Sequence, residues 1–179
     1  MKKLKTVIIG DPGTGAYIFF RYLIWNETLE NFIVVDDISN KEHIELLDDK
    51  NFKLLFYDFR REDINGITSD DIKGSKTYIN APNKFQVQYD WLLCEEDGVL
   101  RVAMNDLRTE FIKNIKHFDN IIIFNPCDED KKKWLASIFN WCSREILSFS
   151  KSRKEEYITI IKQEHIKQSI LQLDEKFPL

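Results

Sequence analysis

Residues 10–15, with the sequence Gly-Asp-Pro-Gly-Thr-Gly, have the composition of a loop that binds phosphate. The loop follows the apolar run Lys5–Ile9 and precedes Ala16–Trp25, whose apolar residues recur at helical spacing. Backbone N–H groups at the start of a helix attract anions, and glycine lets the chain approach a phosphate without a Cβ in the way. The sequence therefore predicts a cofactor site with contacts from Gly10, Pro12, Gly13, Thr14 and Gly15.

Two known phosphate-binding motifs have a similar layout. The first is the P-loop, G-x-x-x-x-G-K-[ST], whose two glycines are matched by Gly10 and Gly15. Ala16 stands in place of the lysine that reaches the terminal phosphates, and Tyr17 in place of the hydroxyl residue that binds Mg²⁺. Asn125 ends an apolar run where an acidic magnesium ligand is expected. An active ATPase is therefore disfavoured, and a degenerate P-loop protein that binds a nucleotide is kept as an alternative.

The second layout is the dinucleotide-binding turn, in which an acidic residue at the end of the second strand binds the ribose hydroxyls. Residues 31–36 form an apolar run that ends in Asp36, directly before Asp37. This pairing predicts NAD as the cofactor, because a carboxylate there repels the 2′-phosphate of NADP. A further hypothesis is an interaction module that has lost its ligand and whose own side chains, Tyr17 among them, fill the pocket.

Strands alternate with helices along the chain, and this alternation predicts an α/β fold. The apolar runs predict strands at Lys5–Ile9, 31–36, Phe52–Tyr57, 77–80 and Asn120–Phe124. Helices are predicted at 16–25, 41–48, 92–94, 99–115 and 130–147. The result is a Rossmann-like parallel sheet with helices on both faces, in three layers. Residues 1–149 are predicted to form this NAD(P)-binding domain, and residues 150–179 a helical C-terminal extension.

The order of these segments resembles the extended short-chain dehydrogenase/reductases, above all the nucleotide-sugar epimerases and 4,6-dehydratases of polysaccharide biosynthesis. Gly10 and Gly13 match the first two glycines of the family's turn T-G-x-x-G-x-x-G. In this chain, Ile9 replaces the threonine and Ala16 replaces the third glycine. Asp36 matches the acid that binds the ribose. Residues 51–60 resemble the family's third strand and residues 78–82 its fourth.

This resemblance implies a set of cofactor contacts beyond the glycine turn. Asp58 is expected at the edge of the adenine with Phe59 beside it. Asn80, Ala81 and Pro82 are expected beneath the nicotinamide ribose, and Asn105 takes the place of the asparagine in the family's T-N-V motif. The implied ligand is a dinucleotide or another nucleotide.

The groups that carry the family's chemistry are missing. A Tyr-x-x-x-Lys pair on the helix after the fifth strand transfers the proton, but Ala136 and Asn140 occupy these positions. Asn125 or Pro126 replaces the catalytic Ser/Thr. The resemblance therefore implies a catalytically impaired relative, either a cofactor sensor or a non-catalytic partner in polysaccharide biosynthesis. It also implies a homodimer, since this helix often forms the dimer contact in the family.

The composition argues against several other classes of function. With 26 basic and 30 acidic residues and a net charge of −4, it gives no support for binding to nucleic acid or to an anionic membrane. The three cysteines lack C-x-x-C spacing and the three histidines are scattered, so no metal site is predicted. Without a signal peptide or an apolar run of about 18 residues, a soluble cytoplasmic protein is expected.

Overall fold

An eight-stranded sheet forms the centre of the molecule in a computed structural model of the chain. The structure describes residues 4–47, 51–58, 73–81, 97–103, 115–126, 128–140, 143–149, 153–162 and 165–179. The strands are β1 Lys5–Ile9, β2 Phe32–Asp37, β3 Phe52–Tyr57, β4 Thr77–Ala81, β5 Gly98–Val102, β6 Asn120–Phe124, β7 Glu156–Ile161 and β8 His165–Ile170. The helices of this part of the chain are α1 Ala16–Trp25, α2 Lys41–Glu45, α3 Glu129–Ile138 and α4 Ser143–Leu147.

The strand order is β3-β2-β4-β5-β1-β6-β7-β8. The first six strands in this order are parallel, and β7 and β8 are antiparallel strands that extend the sheet beyond β6. β1 therefore lies between β5 and β6, with Ile8 opposite Arg101 on one side and Ile122 on the other. In the dinucleotide-binding order 3-2-1-4-5-6, β1 and β2 are neighbours. Here β4 and β5 separate them.

Helices cover both faces of the sheet, as the sequence predicts for a three-layer α/β fold. On one face, α1 and α2 bury Phe20, Ile24 and Ile44 against the even-numbered residues of β1 and β2. On the other face, α3 buries Leu135, with Phe139 directly after it, against the odd-numbered residues. The central strands are buried on both faces, which accounts for their nearly continuous apolar sequences.

Two segments predicted as helical form strands instead. Residues 98–102, which fall largely within the predicted helix 99–115, form β5 because they pair on both sides with β1 and β4. The prediction of a helical extension at 150–179 is also wrong, since β7 pairs with β6 and β8 with β7. The predicted helix 130–147 is interrupted after Ile138, where Phe139 leaves the helical region at φ −100° and ψ 61°. Predicted helix 92–94 lies outside the described residues.

The last nine residues fold back onto α1. Phe177 is buried and meets the rings of Tyr22 and Trp25 edge to face, with centroids 5.4 and 5.8 Å away. The guanidinium of Arg21 lies 5.4 Å from the same ring and donates a hydrogen bond to the carbonyl of Pro178 at 2.8 Å. The C-terminal segment is thereby fixed beside the helix that follows the glycine loop. Across the residues that the structure describes, no helix has the length and apolar character needed to span a membrane.

A buried carboxylate fastens the end of α1 to the sheet. Glu27 accepts hydrogen bonds from the amides of Thr28 and Leu29, from the Tyr78 hydroxyl, and from the Lys76 ammonium at 2.6 Å. Burial raises the pKa of this carboxyl, but the hydrogen bonds from Lys76, Tyr78 and Leu29 outweigh that effect. They lower its pKa from 4.5 to about 2.

We expect Glu27→Gln to lower the free energy of unfolding near neutral pH by about 2 kcal/mol, because the neutral amide is a weaker acceptor for Lys76 and Tyr78. A carboxyl with a lowered pKa in the folded chain stabilises it above the unfolded value of 4.5, and this stabilisation is lost as the pH falls toward 2. Urea denaturation at about pH 7 and about pH 3 should show a smaller difference between variant and wild type at the lower pH. A difference that does not change with pH would contradict the assignment.

Candidate functional site

A cleft of about 480 Å³ opens where the parallel strands β1, β4 and β5 end. This volume lies within the range of small-molecule sites, about 300–1,000 Å³. Ligands of parallel α/β sheets bind at the carboxyl ends of the strands, where this cleft lies. The lining residues come from the glycine loop, α1, the turn after β2, the ends of β4 and β5, the start of β7 and the C-terminal segment: Pro12, Gly13, Gly15, Tyr17, Ile18, Asn40, Asn80, Arg101, Glu155, Leu171 and Leu173.

The glycine loop has a backbone shape that requires its glycines. Gly13 and Gly15 have φ angles of 80° and 92°, in the left-handed region that other residues rarely adopt. The Thr14 hydroxyl donates to the Asp11 carbonyl at 2.7 Å and closes the turn. A Cβ on Gly10 would lie 2.5 Å from the Cβ of Ala16, so this glycine is needed for the close approach of loop and helix.

Helix α1 begins directly behind this loop without a side-chain cap. Gly15 is its N-cap residue, and no side chain of the described residues accepts a hydrogen bond there. The first intrahelical bond runs from the amide of Phe19 to the carbonyl of Gly15 at 2.9 Å. The preceding amides of the first turn have no intrahelical acceptor, as at every helix N-terminus. They form a group of N–H donors next to the cleft, and the helix dipole adds partial positive charge.

Asp36 collects four hydrogen bonds beneath the cleft. Its Oδ1 accepts from the Asp37 amide at 2.7 Å, from Asn40 Nδ2 at 2.8 Å and from Asn80 Nδ2 at 2.7 Å. Its Oδ2 accepts from the Tyr17 hydroxyl at 3.0 Å. Burial of this carboxyl, which is 0% exposed, raises its pKa, and the four hydrogen bonds oppose that effect.

The structure thus places Asp36 differently from a ribose ligand. It is buried below Tyr17, Asn40 and Asn80, and these three donors line the cleft in its place. A ribose could reach the carboxylate only by displacing one of them. The neighbouring Asp37 accepts a hydrogen bond from the Ser39 amide at 2.8 Å and begins a short 3₁₀ turn.

Among the described residues that line the cleft, Arg101 carries the positive charge. Its Nη1 donates to Asn80 Oδ1 at 3.0 Å and its Nη2 to the carbonyl of Gly10 at 3.1 Å. Its guanidinium also lies 5.9 Å from the centre of the Tyr17 ring. Asn80 therefore bridges Asp36 and Arg101, and the Tyr57 hydroxyl donates to the Asn80 carbonyl at 2.8 Å. Burial, followed by the charge of Asp36 and the hydrogen bond to it, raises the pKa of Tyr17.

Four residues predicted to contact a cofactor line the cleft: Pro12, Gly13, Gly15 and Asn80. Two others, Gly10 and Thr14, are buried and support the loop from within. Although Pro12 and Tyr17 take part in the lining, they leave the cleft open.

Of the remaining predicted contacts, Asp58 directly follows β3, the outermost strand of the sheet. Four strand spacings of about 4.8 Å separate β3 from β1, so the end of β3 lies about 19 Å from β1. Ala81 ends β4, and nothing is described of its side chain. Phe59, Pro82 and Asn105 lie outside the described residues.

Of the P-loop positions that depart from the pattern, Ala16 and Asn125 are buried, while Tyr17 is half-buried and lines the cleft. Ala16 is 0% exposed, and its methyl group belongs to the core on the α1 face of the sheet. Asn125 is buried as well and holds the start of β7, with its amide N–H donating to Glu156 and its side chain to the carbonyl of Arg153. Among the residues that the structure describes, no group of three His, Cys, Asp or Glu side chains is placed to hold a metal ion.

Sequence reasoning missed Arg101, Asn40, Ile18, Glu155, Leu171 and Leu173. The predicted helix 99–115 contains Arg101, and the predicted helical extension 150–179 contains Leu171 and Leu173, so neither prediction places these residues at the loop. The run Val99-Leu100-Arg101-Val102, with an arginine inside a short apolar segment, is a signal that could have indicated a buried strand with a functional cation.

No family model matches the chain, and no curated protein matches it in sequence. Its fold is similar to that of solved viral proteins. The genome packaging NTPase B204 from Sulfolobus turreted icosahedral virus 2, in complex with sulfate, has a TM-score of 0.64 at 12% identity, over 96% of this chain and 98% of that chain. The DNA-packaging ATPase B204 from Sulfolobus turreted icosahedral virus has a TM-score of 0.62 at 14% identity, over 96% and 100%.

A further structure of the genome packaging NTPase B204, in complex with AMP, has a TM-score of 0.58 at 13% identity and covers 97% of this chain and 100% of that chain. At these identities the likeness establishes a shared α/β fold. It extends over nearly the whole length of both chains.

We expect Asp36→Ala to lower the free energy of unfolding by about 3 kcal/mol, because it leaves the buried amide of Asn80 and the half-buried amide of Asn40 without their acceptor. Asp36→Asn should cost much less. Its Oδ1 can keep three donors, and the Tyr17 hydroxyl can reverse to accept from the new Nδ2. Urea denaturation of both variants measures the difference, and equal losses would contradict the explanation by unpaired hydrogen-bond donors.

Proposed function

We propose that this chain binds a nucleotide through its phosphates at residues 10–15 and the N-terminus of α1. The observation that carries the proposal is the uncapped start of α1, which stands behind two left-handed glycines at a cleft that Arg101 lines. Backbone amides, a helix dipole and a guanidinium are the groups that proteins use to bind phosphate.

The rest of the lining suits the remaining parts of a nucleotide. Asn40 and Asn80 offer amide groups that can contact a ribose, while Ile18, Leu171 and Leu173 offer apolar surface for a base. Polar and apolar groups are therefore both present at a volume adequate for a mononucleotide. The apolar part comes from α1 and the C-terminal segment, which are held together by Phe177 and Arg21.

The comparisons support the P-loop alternative better than the dinucleotide reading. The viral NTPases have the same fold over nearly their whole length and were solved with AMP, AMPPCP and ATP-gammaS. A dinucleotide site of the Rossmann type depends on β2 ending beside β1, and that neighbourhood is absent from this sheet. NAD stays a ligand to be compared with the mononucleotides.

The proposed activity is binding without efficient hydrolysis. P-loop hydrolysis uses a lysine at the β- and γ-phosphates and Mg²⁺ held by a Ser/Thr hydroxyl and an acidic residue. Ala16 replaces the lysine and Tyr17 replaces the Ser/Thr. Near the ends of the strands β4, β5 and β6, where the acidic residue would be expected, the chain has Asn80, Arg101 and Asn125.

We expect ADP to bind, and Gly13→Asp to weaken its affinity by about tenfold more than Gly13→Asn does. Asp and Asn both tolerate a left-handed backbone, so the two variants differ mainly by a negative charge that repels phosphate. Isothermal titration calorimetry with AMP, ADP, ATP and NAD⁺ measures the affinities, and thermal unfolding checks that the variants fold.

Gly74→Asp is the matched control for this experiment. Gly74 has the same φ of 80° and equally open surroundings. It precedes β4, however, and so lies at the amino-terminal ends of the parallel strands, opposite the cleft. It should leave ADP affinity unchanged. Absence of binding to every nucleotide at millimolar concentration would overturn the proposal, and tighter binding of NAD⁺ than of ADP would favour the dinucleotide alternative.

We expect phosphate release from ATP with Mg²⁺ to stay at the rate of the uncatalysed reaction, even where ATP binding is saturated. The reason is that Ala16 and Tyr17 supply neither the cation nor the magnesium ligand. A coupled phosphate assay measures this. A rate that is faster than the blank, and that is lost in Gly13→Asp, would show that other groups in the cleft complete a catalytic site.

A further inference from the structure

The P-loop pattern places a positive side chain at the phosphates, and this chain does not provide one at that position. The position of the usual lysine is Ala16, whose side chain is completely buried. Backbone amides alone give partial charges, and full charges strengthen a hydrogen bond to phosphate roughly twofold. A full positive charge in this site therefore comes from elsewhere in the fold.

Among the residues that line the cleft in the described part of the chain, Arg101 is the one with a positive charge. Other cations near the loop have different contacts. Lys131 pairs with the Asp11 carboxylate, and Arg21 donates to the Pro178 carbonyl beneath the C-terminal segment. Neither lines the cleft.

The fold holds Arg101 next to the loop. It belongs to β5, opposite Ile8 of β1 and Asn80 of β4 in the sheet register. Its guanidinium is fixed by Asn80 Oδ1 at 3.0 Å and by the carbonyl of Gly10, the first residue of the loop, at 3.1 Å. A guanidinium held in this way is preorganised, so little side-chain entropy is lost when it binds an anion.

We propose that Arg101 takes the place of the missing P-loop lysine and binds the phosphates of the nucleotide from the strand next to β1. This inference rests on the proposed function and adds to it the residue that recognises the phosphates. A planar guanidinium can contact two phosphate oxygens at once, which an ammonium cannot match in geometry.

The test compares ADP with adenosine, which lacks phosphates. Arg101→Gln should raise the Kd for ADP by about tenfold to a hundredfold, while the Kd for adenosine stays within about twofold. Arg101→Lys should recover part of the ADP affinity, because it restores the charge and not the two-oxygen contact. Lys133→Gln removes an exposed positive charge on α3 and should leave both affinities unchanged, which controls for net charge.

A second measurement does not depend on the variants folding. In the wild-type protein, the Arg101 side-chain Nε–Hε resonance should shift with ADP and with inorganic pyrophosphate, and should not shift with adenosine. No shift at saturating ADP overturns the inference. An equal loss of ADP and adenosine binding in Arg101→Gln also overturns it, because Arg101 would then only support the cleft. Failure of the wild type to bind ADP or pyrophosphate would instead remove the proposed function together with this inference.

Discussion

The buried carboxylate of Asp36 is the interaction on which the architecture of the cleft depends. An ionised carboxylate in the protein interior is costly unless several hydrogen bonds compensate for its lost hydration. Here the donors come from α1, from the turn after β2 and from β4, so three separate segments are drawn to one point. Through Asn80 the same network orients Arg101, which holds the first carbonyl of the glycine loop. The cleft is thus organised before any ligand arrives.

The order of the strands decides which groups can meet at this cleft. β5 stands between β1 and β4, so its residues, and not those of β2, lie next to the glycine loop. Asp36, at the end of β2, is connected to α1 by the long side chain of Tyr17, whose hydroxyl donates a hydrogen bond to it. Beyond β6, the antiparallel pair β7 and β8 carries the chain back toward α1, where Leu171 and Leu173 complete the apolar side of the cleft.

In a P-loop, phosphate binding and hydrolysis depend on different groups of the motif. Phosphate binding at a helix N-terminus depends mainly on backbone amides, which require particular φ angles and therefore glycines at Gly13 and Gly15. Hydrolysis depends on side chains that carry charge or hold Mg²⁺. This chain has the backbone features of such a loop, and at the side-chain positions it has a buried Ala16 and a Tyr17 that serves the Asp36 network.

The sequence by itself determined the α/β class, the bounds of β1, β3 and β6, the helix α1 and the glycine-rich loop between β1 and α1. These are local properties, because long apolar runs and glycine spacing act over a few neighbouring residues. The tertiary structure decided that residues 98–102, 156–161 and 165–170 form strands, since a short or polar segment becomes a strand only through its partners in the sheet. It also decided that Asp36 organises the cleft from below and that Arg101 faces the loop, because both depend on which strands are neighbours, and that is set by contacts between distant parts of the chain.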